Sequence, residues 1–292
     1  MTDPVVAELL ELLALERIED NLFRGISRDI GTHYVFGGQV LGQALSAAQM
    51  TVDPVRVVHS LHAYFLRAGD VQHPIVYHVE NPRDGKSFSV RRIVAIQHGK
   101  TIFNMSASFQ EPEPGAEHQL SAPDVPLPED LPEPAPLPAA TMERLPPKLQ
   151  RWLSRKGPFE FRPVYPRDEL APTKRPPYQQ VWFRLVDRAP DAPTLHSALL
   201  AYASDFHLIG TTTFPHGISY LQPNVQMASL DHAMWFHRSF RADDWLLYSC
   251  DSPSASGARG LARGSIYDRA GRLVASTAQE GLIRVLPVQA AE

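Results

Sequence analysis

Ser60-Leu61-His62-Ala63-Tyr64-Phe65 and Leu230-Asp231-His232-Ala233-Met234-Trp235 carry the same His-Ala pair at a separation of 170 residues. The likeness extends both ways from that pair. Upstream, Asn21-Leu22-Phe23-Arg24 matches Val181-Trp182-Phe183-Arg184, and an alanine-rich stretch follows each, Gln39 to Met50 and Leu195 to Phe206. Downstream, Tyr77 lies against Tyr248 at 171 residues and Gly99-Lys100 against Gly271-Arg272 at 172. Order and spacing held over such a span indicate a tandem duplication with single-residue slips. Between the copies, 11 of the chain's 27 prolines fall from Pro112 to Pro147. Proline removes backbone donors and holds the chain extended, so this stretch is expected to be a linker over the surface. The expected division is a first unit over residues 1–110, the linker over 111–150 and a second unit over 151–292.

Hydrophobic period predicts the elements of each copy. Val40, Leu41, Ala44, Leu45 and Ala48 recur at three-to-four spacing after Gly37-Gly38, a helical stripe. Leu195, Ala198, Leu199, Tyr202 and Phe206 do the same, with Thr194 as expected N-cap and Gly210 as expected stop. Ala44, Ala47, Ala48, Ala198, Ala201 and Ala203 leave room for close helix packing against a sheet. The later segments of each copy are rich in Val, Ile, Phe, Tyr and Thr between glycine turns, as antiparallel strands are. Asp3 and Pro4 mark the start of a short lead helix. Each copy is thus strand, helix, then several long strands. A curved sheet wrapped around one helix, with two such sheets merged, is an α+β double hotdog. Two separate small α+β domains are the alternative.

Composition excludes several classes. The 292 residues carry 28 basic and 32 acidic side chains, a net charge of -4, without the positive surplus that tracking phosphates requires. No apolar run reaches the length of a membrane span, and Val5 to Leu15 is interrupted by Glu8 and Glu11. Met1-Thr2-Asp3 has no basic stretch ahead of an apolar one, and the single cysteine, Cys250, makes neither an internal disulfide nor a multi-cysteine metal site. A cytoplasmic chain is expected. Gly-x-Ser-x-Gly is absent, and Gly85-Lys86-Ser87 fails as a phosphate loop because Glu80 stands where a glycine is needed. His59 and His62 sit three apart on a predicted strand and so point to opposite faces, a poor chelate. No metal and no cofactor is expected.

Three polar residues stand among apolar ones in the second copy. Asp205 ends the predicted helix in Tyr202-Ala203-Ser204-Asp205-Phe206, Ser229 opens a predicted strand, and Gln279 lies in the last one. Taken singly, each has an ordinary explanation: an exposed helix-end carboxylate, a strand-end hydroxyl, a solvent-facing amide. Converging, they would hold a water, the carboxylate taking its proton and the other two fixing its orientation. The first copy has Ala48-Gln49-Met50 where the second has Ser204-Asp205-Phe206, and Met105 or Ser106 near the place of Gln279. Only one copy carries acid–base chemistry.

At these residues the chain resembles the acyl-CoA thioesterase II family of double-hotdog hydrolases. The matching strings are Phe36-Gly37-Gly38-Gln39-Val40-Leu41-Gly42-Gln43-Ala44, Val58 to Arg67, Arg83 to Arg92, Asp231 to Arg238 and Ser254 to Gly260. The likeness runs from about residue 5 to 285. It implies hydrolysis of fatty acyl-CoA without a cofactor, with the family's aspartate, hydroxyl and glutamine falling on Asp205, Ser229 and Gln279. Serine replaces the threonine of some members, which keeps the hydroxyl and loses a methyl. Arg91, Arg92, Arg259 and Arg263 are candidates for the CoA phosphates, and His59 for a structural hydrogen bond. A hotdog hydratase or dehydratase using His33 or His207, and a non-catalytic acyl-CoA binder, are the rival readings. Gln289-Ala290-Ala291-Glu292 carries no peroxisomal address, which fits a bacterial cytoplasm. Exposed sheet edges point to a homodimer or homotetramer, with no nucleic-acid or membrane partner.

Overall fold

Asp3 and Pro4 start the first helix as their chemistry predicts: Asp3 Oδ1 accepts from the Val5 N–H at 3.1 Å and Pro4 occupies the first turn of α1 (Pro4–Leu13). The computed structural model describes residues 2–31, 34–133, 139–143, 145, 150 and 153–287. His33 and the C-terminal Gln289 to Glu292 lie outside the described residues.

The first copy continues with β1 (Glu16–Glu19), β2 (Leu22–Gly25), α2 (Gly37–Gln49), β3 (Val57–Phe65), β4 (Ile75–Asp84), β5 (Phe88–Gln97) and β6 (Lys100–Gln110). The second has β7 (Phe159–Pro163), β8 (Tyr178–Leu185), α3 (Pro193–Ser204), a 3₁₀ segment (Ile209–His216), β9 (Val225–Ser229), β10 (Asp231–Phe236), β11 (Leu246–Ser256), β12 (Arg259–Asp268) and β13 (Leu273–Val285). Among the described residues all of these strands form one sheet, ordered β1-β2-β4-β5-β6-β3-β10-β13-β12-β11-β8-β7, with β9 paired to β13. From the β3–β10 seam outward, the order β3-β6-β5-β4-β2 repeats as β10-β13-β12-β11-β8. The antiparallel seam sets His62 opposite Ala233 and Ala63 opposite His232, so the repeat quoted at the outset lies on its own pseudo-twofold axis.

Strand parity corrects the alignment of the copies. His62 points to the exposed face whereas His232 is fully buried, so the two histidines are not structural equivalents. Tyr77 and Tyr248, both buried, fix an offset of 171, which places Leu61 at the position of His232. The hairpin glycines Gly99 and Gly271, at φ of +70° and +78°, fix an offset of 172 and place Ala107 at that of Gln279. Each offset sets buried residue on buried residue in its own strands, and a one-residue slip reverses them.

α2 and α3 lie side by side and share one core with Leu9 and Leu12 of α1, Leu61 of β3, Ile93 of β5 and Met234 of β10. Glycine rather than alanine allows their closest approach. A Cβ on Gly38 would run into the Tyr202 carbonyl oxygen, and one on Gly42 would sit 3.1 Å from that of Ala198. Buried Gln43 ties the flanking loops to α2, donating to Leu12 O at 2.7 Å and Ile26 O at 2.8 Å while accepting from the Tyr77 hydroxyl at 2.7 Å.

The described part of the proline-rich stretch crosses the outer face of the second copy. Trp182 Nε1 donates to Pro126 O at 2.9 Å, Gln119 bonds Gly271 O and the Leu273 N–H, and Arg269 pairs with Glu129 at 2.5 Å. Ala122, Val125 and Leu131 pack there against a small second core of Val164, Trp182, Trp245, Leu247 and Tyr267.

Candidate active site

Helix α3 ends at Ser204, two residues earlier than its apolar spacing predicts. Pro193 sits at its start, so Thr194 is inside the helix and the cap position falls to Ala192, which supplies no side-chain bond. Asp205 is the C-cap residue, and His207 at φ +64° turns the chain away before Gly210, which lies in the 3₁₀ segment. Asp205 is thereby set at the end of the buried helix pair, 9 % exposed, unlike a solvated helix-end carboxylate.

Ser229 ends the short strand β9 instead of opening a long one; its partner across the ladder is Gly281. Gln279, fully buried, projects from β13 two residues before Gly281. The fold brings the three together. Gln279 Nε2 donates to Asp205 Oδ1 at 2.7 Å and lies 3.1 Å from Ser229 Oγ, and Ser229 Oγ lies 3.4 Å from the same carboxylate oxygen. Gln279 Oε1 is buried and has no partner among the described residues.

The other carboxylate oxygen meets the start of α2. A Cβ on Gly37 would lie 2.6 Å from Asp205 Oδ2 and 3.1 Å from the Phe65 ring, so glycine is required for this approach. No side chain caps this helix at Phe36, which leaves the positive end of its dipole facing the carboxylate. The pseudo-twofold repeats the arrangement without the acid: Gln49 of α2 reaches Thr194 O at the start of α3, at 3.0 Å. Aromatic rings wall the site, with Phe36 4.4 Å from Phe206 and 5.2 Å from Tyr202, and Phe161 5.4 Å from Phe206, between ring centroids.

His232 was not singled out from the sequence, although it lies in the repeated stretch. Its Nδ1 is 3.2 Å from Gln279 Nε2 and its Nε2 is 3.0 Å from Ser204 Oγ. Burial lowers its pKa to about 4, against a smaller opposing pull from Asp205. Strand parity was the signal that could have found it. His207 stands apart from this group: its ring packs 4.7 Å from that of Phe161 and burial lowers its pKa to about 4.

His59 Nε2 bonds Ser108 Oγ at 2.8 Å, and His62 meets the Trp235 ring edge-on. Among the described residues, metal-ligand types converge instead at Asp70, His73 and His98, where both imidazoles bond Asp70 Oδ2, at 2.8 and 3.1 Å. Arg91 is 2 % exposed and spends its donors on Thr51, Arg83 O, Val90 O and Asp84, so it is closed to a phosphate. Arg92, Arg259 and Arg263 reach the surface, facing Glu80, Glu280 and Asp251. Among the described residues no helix is long and apolar enough to cross a membrane.

Comparison with known proteins agrees with this architecture. A family model described as acyl-CoA thioesterase matches residues 153–282, and one described as acyl-CoA thioesterase N-terminal domain matches residues 26–110. Acyl-CoA thioesterase 2 of Haemophilus influenzae is 44% identical, over 96% of this chain and 98% of its own. The crystal structure of acyl-CoA thioesterase II TesB2 from Mycobacterium marinum superposes with a TM-score of 0.77 at 46% identity, covering 96% of this chain and 99% of that one. For the fold alone, a protein with hot dog fold from Alicyclobacillus acidocaldarius gives a TM-score of 0.71 at 20% identity, over 95% of this chain and 98% of its own. The double hotdog read from the repeat is therefore the fold, and the chain belongs to the acyl-CoA thioesterase II family, a family of thioester hydrolases.

Proposed function

We propose that the chain hydrolyses fatty acyl-CoA to a free fatty acid and CoA, with Asp205 as general base and Ser229 and Gln279 orienting the attacking water. The observation that carries this is a nearly buried carboxylate held through one oxygen by a hydroxyl and an amide, its other oxygen open to a proton. Asp205 Oδ2 takes a proton from the water as its oxygen attacks the thioester carbonyl carbon. The tetrahedral oxyanion collapses, the C–S bond breaks, and the departing CoA sulfur receives that proton. The open N–H groups at the start of α2 are the donors available to the oxyanion. A thioester carbonyl is reactive enough that this chain needs no metal or organic cofactor. The rings of Phe36, Phe65 and Phe206 offer the acyl chain an apolar wall beside the carboxylate.

In the same proposal, residues 1–110 and 151–292 are the two hotdog units, joined by 111–150, and the second carries the catalytic set. Tyr64 and Trp235, exposed on the outer face at the seam, support a homodimer or homotetramer, which native mass spectrometry would measure. The setting is the cytoplasm.

Release of CoA thiol from a panel of acyl-CoAs tests the reading. Asp205→Asn is expected to lose about 10²- to 10⁴-fold in kcat, the usual contribution of a general base, with its fold intact. Ser229→Ala is expected to lose less, on the order of tenfold. Thiol release from no substrate would favour a hydratase or a binding protein; undiminished turnover by Asp205→Asn would leave the reaction and remove the base.

A further inference from the structure

We infer that His232 is a positioning residue that fixes the orientation of the Gln279 amide, and with it the orientation of the proposed base. This rests on the reading of Asp205 as base. The Ser204 hydroxyl donates to Ala201 O at 2.9 Å, so its oxygen accepts from His232 Nε2–H at 3.0 Å. The ring is neutral, because burial lowers its pKa to about 4, and its only proton sits on Nε2. Nδ1 is then a bare acceptor 3.2 Å from the Gln279 nitrogen. An amide turned the other way would set its oxygen against both Nδ1 and the Asp205 carboxylate, two acceptors without a proton between them. The helix end thus sets the tautomer, the tautomer sets the amide, and the amide holds Asp205 Oδ1 at 2.7 Å. Tyr248 braces the chain, its hydroxyl donating to Ser204 O at 3.0 Å.

The pseudo-symmetry argues that this chain of bonds belongs to the site and not to the fold. The first copy builds the same strands and helix with Leu61, Ala107 and Ala48 where the second has His232, Gln279 and Ser204. The architecture therefore forms without any of the three polar groups. A buried imidazole that packing does not need is retained for what its nitrogens do.

His232→Leu, which installs the first copy's residue, is expected to lower kcat for acyl-CoA about 10- to 100-fold with KM within about twofold. His232→Asn carries an acceptor the same number of bonds from Cβ as Nδ1 and is expected to recover most of the lost kcat. Unchanged kcat in a folded His232→Leu, or equal loss in both variants, would overturn the inference. Should His232→Leu not fold, Ser204→Ala decides: it frees the tautomer and is expected to lower kcat at least about fivefold at unchanged KM, and unchanged kcat counts against the inference. Imidazole ¹⁵N shifts of the wild-type protein are a readout independent of turnover. Nε2–H with a hydrogen-bonded bare Nδ1 is expected, and a proton on Nδ1 would overturn the inference. A wild-type protein that shows the expected tautomer but releases no thiol would instead refute the proposed base.

Discussion

His232 enters the folded state without a proton, and that has a thermodynamic signature. Its folded pKa of about 4 lies below the ordinary histidine value, with loss of hydration as the larger cause. Between about pH 6.5 and 4 the unfolded chain binds a proton that the native chain refuses, so stability rises with pH across that window. The contribution is complete above about pH 6.5 and lost as pH falls to about 4, at about 3 kcal/mol in total. Urea unfolding of wild type and His232→Leu from pH 4 to 7 measures it: the variant is expected to show a shallower slope there. Single residues were the hardest level to read from the sequence. Asp205, Ser229 and Gln279 were visible as polar letters among apolar ones, yet their convergence spans three elements and came only with the family resemblance. His232 was hidden because its letter matched His62, and matching letters hid a reversed side-chain direction.

At the scale of elements, the start of α2 separates two demands that neighbouring glycines meet. Gly37 makes room for the Asp205 carboxylate, and Gly38 for the backbone of α3. Gly37→Ala is expected to cost about 10- to 100-fold in kcat, since displacing a reacting group by about 1 Å has that effect, with little change in stability. Gly38→Ala is expected to destabilise by about 1–3 kcal/mol through overpacking, read by denaturant unfolding. Loss of stability without loss of kcat at Gly37 would show that the carboxylate keeps its place and the strain falls on the packing around it. The order of elements along the chain and both central helices were legible in local period, and the lead helix in its capping chemistry. The end of α3 was not: Phe206 kept the helical spacing while packing on Phe36 from outside the helix. The alanines were read as the close-packing residues, whereas the tightest helix contacts fall on Gly38 and Gly42, which no period marks.

At the scale of the molecule, the two copies are held by the β3–β10 ladder and by α2 against α3, so the peptide connection between them is dispensable for cohesion. A protease site inserted between Pro134 and Pro138, then cut, is expected to leave the fragments associated and turning over. Size-exclusion chromatography with the thiol assay on the nicked protein checks this; dissociation would mean that the covalent link carries the seam. The seam also bears on descent. An assembly of two identical chains writes every residue twice, so a substitution that suits one half is imposed on the other. Placing both copies in one reading frame removes that bond between them. Inheritance could then treat the halves as different genes, one keeping the histidine, the amide and the acid, the other replacing them with Leu61, Ala107 and Gln49.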